Sequence, residues 1–173
     1  MVFARVLLEM GTVAPDLFRQ TAPPLMAQGA VLAILCLGLQ RMARSEIALI
    51  PAEDDPPSDL RTPIVFGLLY AGILLTVAWA RQNLGTEALY AVAFVSGLAD
   101  MDAITLSTME LSRGGGLEPG TAWRVILVAS MSNLAFKGAV VAAMGSRQTA
   151  RWVALLFGTT IVAGGIILFA WPG

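Results

Sequence analysis

Long apolar runs alternate with short polar segments along most of this chain. Runs at residues 22–40, 63–80, 121–144 and 151–171 approach or exceed the roughly 20 residues that a helix needs to cross a bilayer. Residues 41–62 are polar, acidic and rich in proline, and we expect them to form a loop. The pattern predicts an all-α, polytopic integral membrane protein with about four full spans and one polar loop.

A fifth apolar stretch, residues 87–112, is interrupted by the sequence "SGLADMDAITLS", which contains Asp100 and Asp102. In a continuous helix, residues two apart point about 200° away from each other, so one acid would face lipid. If the helix breaks near Gly97, both carboxylates can turn toward one cavity. Such irregular backbone occurs at membrane depth only where it is buried in protein or lines a water-filled cavity. We therefore predict a broken or re-entrant helical segment here.

The first 13 residues predict a short helix in which Arg5 and Glu9 lie one turn apart and can pair. The helix is too short to cross a bilayer, and two interpretations remain. It is either an amphipathic helix at the membrane surface or the end of a longer span whose beginning is missing. No cleavable signal peptide is expected, because the two charges interrupt the apolar region. Residues 1–173 then form a single membrane domain.

Composition supports the membrane assignment and excludes several chemistries. The chain is 57% hydrophobic and 13% charged, whereas soluble domains carry about 25% charged residues. A net charge of −1 argues against a nucleic-acid partner. With no histidine and one cysteine, no zinc or haem site and no Ser-His-Asp enzyme is expected, and Cys36 is interpreted as a small packing residue.

The acids of the broken segment are the candidate ion- or proton-binding residues. Asp100 and Asp102 are followed by Thr105 and Ser107, and this set of oxygen donors suits a proton or a hard cation such as magnesium, calcium or sodium. The alternative is structural. In that case Asp102 caps a helix beginning at Ala103, and the acids only form salt bridges that hold helices together.

A polar stripe in the span at 121–144 is the predicted complement to these acids. Ser130, Asn133 and Lys137 share one helix face. A lysine inside a span needs an acidic partner, so we expect Lys137 to pair with Asp100 or Asp102, with Asn133 bridging them.

Small residues and surface charges give two further expectations. The pairs Ala93/Gly97 and Thr160/Gly164, each four residues apart, predict close helix contacts, within this chain or in a homodimer or larger membrane complex. If residues 87–112 dip into the membrane and return, arginines accumulate beside loop 41–62, which places that loop in the cytoplasm.

Three stretches also carry a resemblance to a known family. The stretches "FGLLYAGILLTVAWA", "LYAVAFVSGLADMDAITLS" and "ILVASMSNLAFKG" resemble the domain of unknown function 4010, most specifically at Gly97–Ser107 and Ser132–Lys137. The resemblance implies a C-terminal membrane half of bacterial MgtC/SapB-type proteins, a location in the bacterial cytoplasmic membrane and an association with magnesium. Because no N-terminal MgtC-like domain precedes these stretches and the sequence starts partway through the family's early helices, we expect one of two explanations: either the domain acts alone or with a partner subunit, or the sequence is incomplete.

Two functional hypotheses follow. The first is an ion-handling membrane protein that uses the intramembrane carboxylates. The second is an accessory or structural subunit in which the Asp, Asn and Lys residues only stabilise helix packing.

Overall fold

The computed structural model describes residues 2–46 and 89–172, and every regular element in these two ranges is an α-helix. There are six: α1 (Val2–Val13), α2 (Pro15–Glu46), α3 (Leu89–Ala99), α4 (Met101–Arg113), α5 (Pro119–Met144) and α6 (Arg147–Ala170). The predicted span 63–80 and most of the predicted loop 41–62 lie outside the described residues. The all-helical prediction is confirmed for the rest.

Three of these helices are long and apolar enough to cross a membrane, and α3 is a shorter apolar helix. They are α2 up to Arg41, α5 and α6. The last two agree with the predicted spans 121–144 and 151–171 to within four residues at their starts and one at their ends. The short N-terminal helix is also present as α1.

The second helix differs from its prediction at both ends. It begins at Pro15 and continues to Glu46, so Pro23 and Pro24 lie inside it and residues 41–46 are helical. Proline lacks a backbone N–H, and the prediction used the pair as a helix start. Leu, Met, Ala, Gln and Arg dominate the sequence that follows, and their strong helix propensity continues the helix past the expected loop boundary.

Helices α2, α5 and α6 lie side by side, and two of them run parallel while the third runs antiparallel. Gln28 of α2 contacts Ser130 of α5, and Leu25 packs in one cluster with Trp123 of α5, so α2 and α5 run parallel. A side chain at Gly164 would meet Met131, and one at Gly138 would meet Phe157, so α6 runs antiparallel to α5. The start of α6 therefore lies at the same end of the bundle as the end of α2.

Helices α3 and α4 follow α5 in the antiparallel direction. Phe94 contacts Ser132, Gly97 contacts Ala129, and Ile104 packs with Val125. The break between α3 and α4 thus lies between these last two contacts, about one third of the way along α5 from its start.

Helix α1 lies next to α4 and runs parallel to it. Arg5 reaches Asp102 near the start of α4, and Arg113 at the end of α4 donates a hydrogen bond to the Val13 carbonyl. The core beneath both helices is apolar and includes Val6, Met10, Met109, Trp123, Ile126 and Leu127. This arrangement brings charged residues of α1 to the helix break.

Candidate functional site

The predicted helix break is confirmed, and its centre is Asp100. This residue has extended backbone angles (φ −148°, ψ 117°), and its carboxylate accepts a hydrogen bond of 3.0 Å from the Asp102 N–H. Aspartate is a favoured N-cap because its oxygen satisfies an N–H that has no partner in the first turn. The prediction that Asp102 caps a helix starting at Ala103 is wrong by two residues, since Asp100 caps α4 and Asp102 lies in its first turn.

Gly97 is not the helix break that the sequence analysis assigned to it. It lies inside α3 and is buried against the backbone of α5, where an added Cβ would stand 2.8 Å from the Ala129 Cα and closer still to the Ala129 carbonyl oxygen. Glycine is required here by the close approach of two helices. The predicted close contact at Ala93 and Gly97 is confirmed, because both are buried on the face that packs against α5.

Two side chains of α5 fasten α3 in this position. Asn133 donates its Nδ2–H to the Gly97 carbonyl at 2.9 Å, and the Ser132 hydroxyl donates to the Phe94 carbonyl. The Oδ1 of Asn133 is buried and has no hydrogen-bond partner among the described residues. Asn133 therefore contacts the backbone just before the break, and the predicted bridge between the acids and Lys137 is not formed by these contacts.

Arg5 is the basic partner of the acids at the break. Its guanidinium forms an ion pair with Asp102 and a second one, at 3.3 Å, with Glu9. The predicted pairing of Arg5 with Glu9 is confirmed. The contact with Asp102 was missed, because nothing in the sequence pattern connects the first helix to a residue so far along the chain. We call Arg5, Glu9, Asp100 and Asp102 the Arg5 cluster.

Lys137 does not form the predicted direct salt bridge with Asp100 or Asp102. Its side chain is exposed, and within the described ranges the cation paired with Asp102 is Arg5. Arg5 takes the pairing role because α1 and α4 lie side by side and parallel.

The predicted hydroxyl donors fall on different sides of α4. Thr105 is fully buried and donates to the Met101 carbonyl at 2.9 Å, whereas Ser107 is exposed and donates to the Ala103 carbonyl at 2.8 Å. Residues three apart share a helix face and residues five apart do not. Thr105 therefore shares a face with Asp102, and Ser107 does not.

Glu9 is the member of the cluster whose protonation the surroundings alter most clearly. Burial raises the pKa of its carboxyl, and the negative charge of Asp102 raises it further, while the hydrogen bond and charge of Arg5 act in the opposite direction. One of its oxygens, Oε2, is buried without a hydrogen-bond partner in the described part of the chain. Sequence analysis treated Glu9 only as the partner of Arg5.

The charges of the Arg5 cluster do not cancel. Two carboxylates pair with one guanidinium, and the Asp102 and Glu9 side chains are only 22% and 17% exposed. The third carboxylate, that of Asp100, accepts a hydrogen bond from the Asp102 N–H and is exposed. Across the described ranges, no three Asp, Glu, His or Cys side chains are placed so that together they could hold a metal ion. The arrangement is better suited to one or two exchangeable positive charges at the carboxylates than to a metal ion that is surrounded by protein ligands.

A second polar contact joins the three long helices. The Ser130 hydroxyl donates to Oε1 of Gln28 at 2.6 Å, and Gln28 is fully buried and lies beside Gly164 of α6. Gln28 was missed, because a single glutamine in an apolar run carries no periodic signal. The predicted close contact at Thr160 and Gly164 is confirmed, since these are the buried residues of α6.

Comparison with known proteins places the chain in a family. The profile of the domain of unknown function DUF4010 matches residues 1–145. An uncharacterized protein of Aquifex aeolicus (strain VF5) is 36% identical over 92 residues, which is 53% of this chain and 40% of that relative. The chain thus matches less than half the length of this relative, and no solved structure gives a significant match. Since the match covers most of the sequence, the chain belongs to the DUF4010 family.

Proposed function

We propose that this protein is an ion-handling membrane protein that binds and releases a proton at the Arg5 cluster. The observation that carries the proposal is the charge imbalance of the cluster, in which the single guanidinium of Arg5 pairs with both Glu9 and Asp102, and the carboxylate of Asp100 lies next to Asp102 as the cap of α4. Partly buried negative charge is costly unless a cation or a proton compensates it. An exchangeable ion supplies that compensation.

The depth of the cluster supports this function. The helix break follows Gly97, which packs against Ala129 in the middle third of α5, a helix long enough to span the bilayer. An acid near the centre of a membrane helix costs about 2.5–3.5 kcal/mol on insertion scales, and intramembrane acids commonly mark ion or proton pathways. Broken helices at this depth are a recurrent ion-binding device in transporters.

The positions of the contacts along α5 favour a segment that crosses the membrane completely over one that enters and returns. Both α3 and α4 continue along α5 in one direction, so we take them together as a fourth, broken span.

A proton fits the donor set better than a divalent metal. Asp100 already uses one carboxylate oxygen as the cap of α4, and Asp102 is engaged with Arg5, so few oxygens converge on one point. Magnesium takes a near-octahedral set of oxygen ligands, whereas a proton needs one carboxylate. Magnesium, calcium and sodium are therefore the second candidates, and the family resemblance to MgtC/SapB-type proteins makes magnesium the first metal to test.

The test compares ion flux in proteoliposomes containing wild type, Asp100→Asn or Asp102→Asn. Asparagine caps helices about as well as aspartate, so Asp100→Asn removes the charge and keeps the cap. Asp16→Asn is the matched control, because Asp16 is an exposed acid in the first turn of α2 outside the cluster. We expect proton flux to fall at least about tenfold in the cluster variants, as when a proton-transfer group is removed, and to persist in the control.

The competing function is that of a structural or accessory subunit, and one set of contacts favours it. Asp100 caps a helix, Asp102 ties α1 to α4 through Arg5, and Asn133 fastens α3 to α5. If the Asp100→Asn and Asp102→Asn proteins remain folded and show the same proton and magnesium flux as wild type, the acids are structural. The subunit hypothesis then replaces the proposal.

A further inference from the structure

Two buried hydroxyls of α4 lie on one face of the helix, and neither has a hydrogen-bond partner among the residues that the structure describes. Thr108 is 2% exposed and Ser112 is 6% exposed, and neither side-chain oxygen has a partner in the two described ranges. Thr105, one turn before Thr108, donates its hydroxyl to a backbone carbonyl of α4, and Thr108 and Ser112 do not form a hydrogen bond of this kind. Buried polar groups nearly always have a partner, which is often a bound water.

A third group of the same kind lies on the neighbouring helix. The Oε2 atom of Glu9 is buried and also has no described partner. Because Arg5 meets Asp102 and Val13 meets Arg113, α1 and α4 run parallel. Glu9 is halfway between these two contacts along α1, and Thr108 is about halfway between them along α4, so the two are at similar heights.

The spacing of these groups suits water. Residues four apart on a helix have Cβ atoms about 5–6 Å apart, which one water spans with two hydrogen bonds of about 2.8 Å each. Thr108 and Ser112 have this spacing, and Ser112 directly precedes Arg113, which is exposed at the end of α4. The three groups therefore form a line between the helix break and one end of the bundle.

We propose that bound water molecules occupy this line, which we call the hydroxyl seam (Glu9, Thr108 and Ser112), and that they carry protons between the Arg5 cluster and the Arg113 end of α4. The proposal rests on the proposed function for the identity of the transported species. The hydration of the seam does not depend on that function. Glu9 accepts or releases the proton at Oε2, and the hydroxyls relay it by exchanging hydrogen bonds with the waters, so no net charge is left on α4.

Hydration and transport are tested separately. Radiolytic hydroxyl-radical footprinting, read by mass spectrometry, oxidises methionine next to bound water, and Met109 is fully buried beside Thr108. The variants are Ser112→Ala, the double variant Thr108→Val/Ser112→Ala, and the control Thr160→Val. Thr160 is equally buried, but its hydroxyl is satisfied by the Leu156 carbonyl at 2.7 Å.

We expect Met109 to be oxidised in wild type and in the control, and its oxidation rate to fall several-fold in the double variant. Proton flux in proteoliposomes should fall at least about tenfold in the double variant, as when a proton-transfer group is removed. If Met109 is protected in wild type, the seam is dry and the inference is overturned, whatever the flux. If Met109 is oxidised but wild type moves no protons, the proposed function fails while the hydrated seam stands. Ser112→Ala, a minimal change, provides the same comparison if the double variant does not fold.

Discussion

Replacement of Gly97 by alanine tests the close contact between α3 and α5. The new Cβ would lie 2.8 Å from the Ala129 Cα and closer still to the Ala129 carbonyl oxygen, so reaching the 3.4 Å of ordinary contact requires the helices to separate by at least about 0.6 Å. The same movement lengthens the 2.9 Å hydrogen bond from Asn133 to the Gly97 carbonyl to about 3.5 Å or more, the limit for such a bond.

The free-energy change follows from three contributions. Overpacking costs about 1–3 kcal/mol. The weakened hydrogen bond costs about 1 kcal/mol. The better helix propensity of alanine returns about 1 kcal/mol. We therefore expect Gly97→Ala to lower the free energy of unfolding by about 1–3 kcal/mol, with the overpacking contribution deciding the outcome.

The assay is unfolding in mixed micelles, followed by circular dichroism, with Gly158→Ala as the control. Gly158 also lies inside a helix, but an added Cβ there meets no described atom within 4 Å. The control should be as stable as wild type or slightly more stable. If Gly97→Ala and Gly158→Ala unfold alike, α3 does not approach α5 as closely as described, and the position of the helix break loses its support.

Three further predictions concern single residues. Asp100→Ala should lower the free energy of unfolding by about 1 kcal/mol through loss of the α4 cap, whereas Asp100→Asn should not, as measured by the same unfolding assay. Asn133→Leu should cost about 1–3 kcal/mol, because the Gly97 carbonyl loses its donor, and an unchanged unfolding curve would exclude that bond. Because the pKa of Glu9 is raised in the folded protein, its contribution to stability is complete below pH 4.5 and is lost as the pH rises through the raised pKa. Glu9→Gln should therefore flatten the fall in stability over that window, and identical pH profiles for the two proteins would refute the assignment.

The apolar pattern was sufficient to predict the helices but not their ends. The spans at 121–144 and 151–171 appear as α5 and α6, because continuous apolar sequence of that length has few other solutions in a bilayer. The start of α2 was misplaced because Pro23 and Pro24 lie within the helix. Proline is a strong local signal for a helix start, but here the residues on both sides of the proline pair are helical.

The acidic residues of the candidate site could be predicted from the sequence, but the basic residue that pairs with them could not. Asp100 and Asp102 stand out because acids are rare in apolar sequence, and their spacing is incompatible with one helix face. Lys137 was preferred as the partner because it lies in a span, yet the ion pair is made by Arg5 from the first helix. Contacts between distant parts of a chain depend on how helices pack, and periodicity within one helix carries no information about that.

The most direct test of the central claim is whether a current accompanies the entry of an ion into the Arg5 cluster. Because the cluster lies about one third of the way along α5, an ion that reached it would cross part of the membrane and move charge. Proteoliposomes adsorbed on a solid-supported membrane should give a transient current after a pH step. We predict that this current is present in wild type and Asp16→Asn and lost in Asp100→Asn/Asp102→Asn. Equal currents in all three proteins, with the double variant folded, would contradict the account.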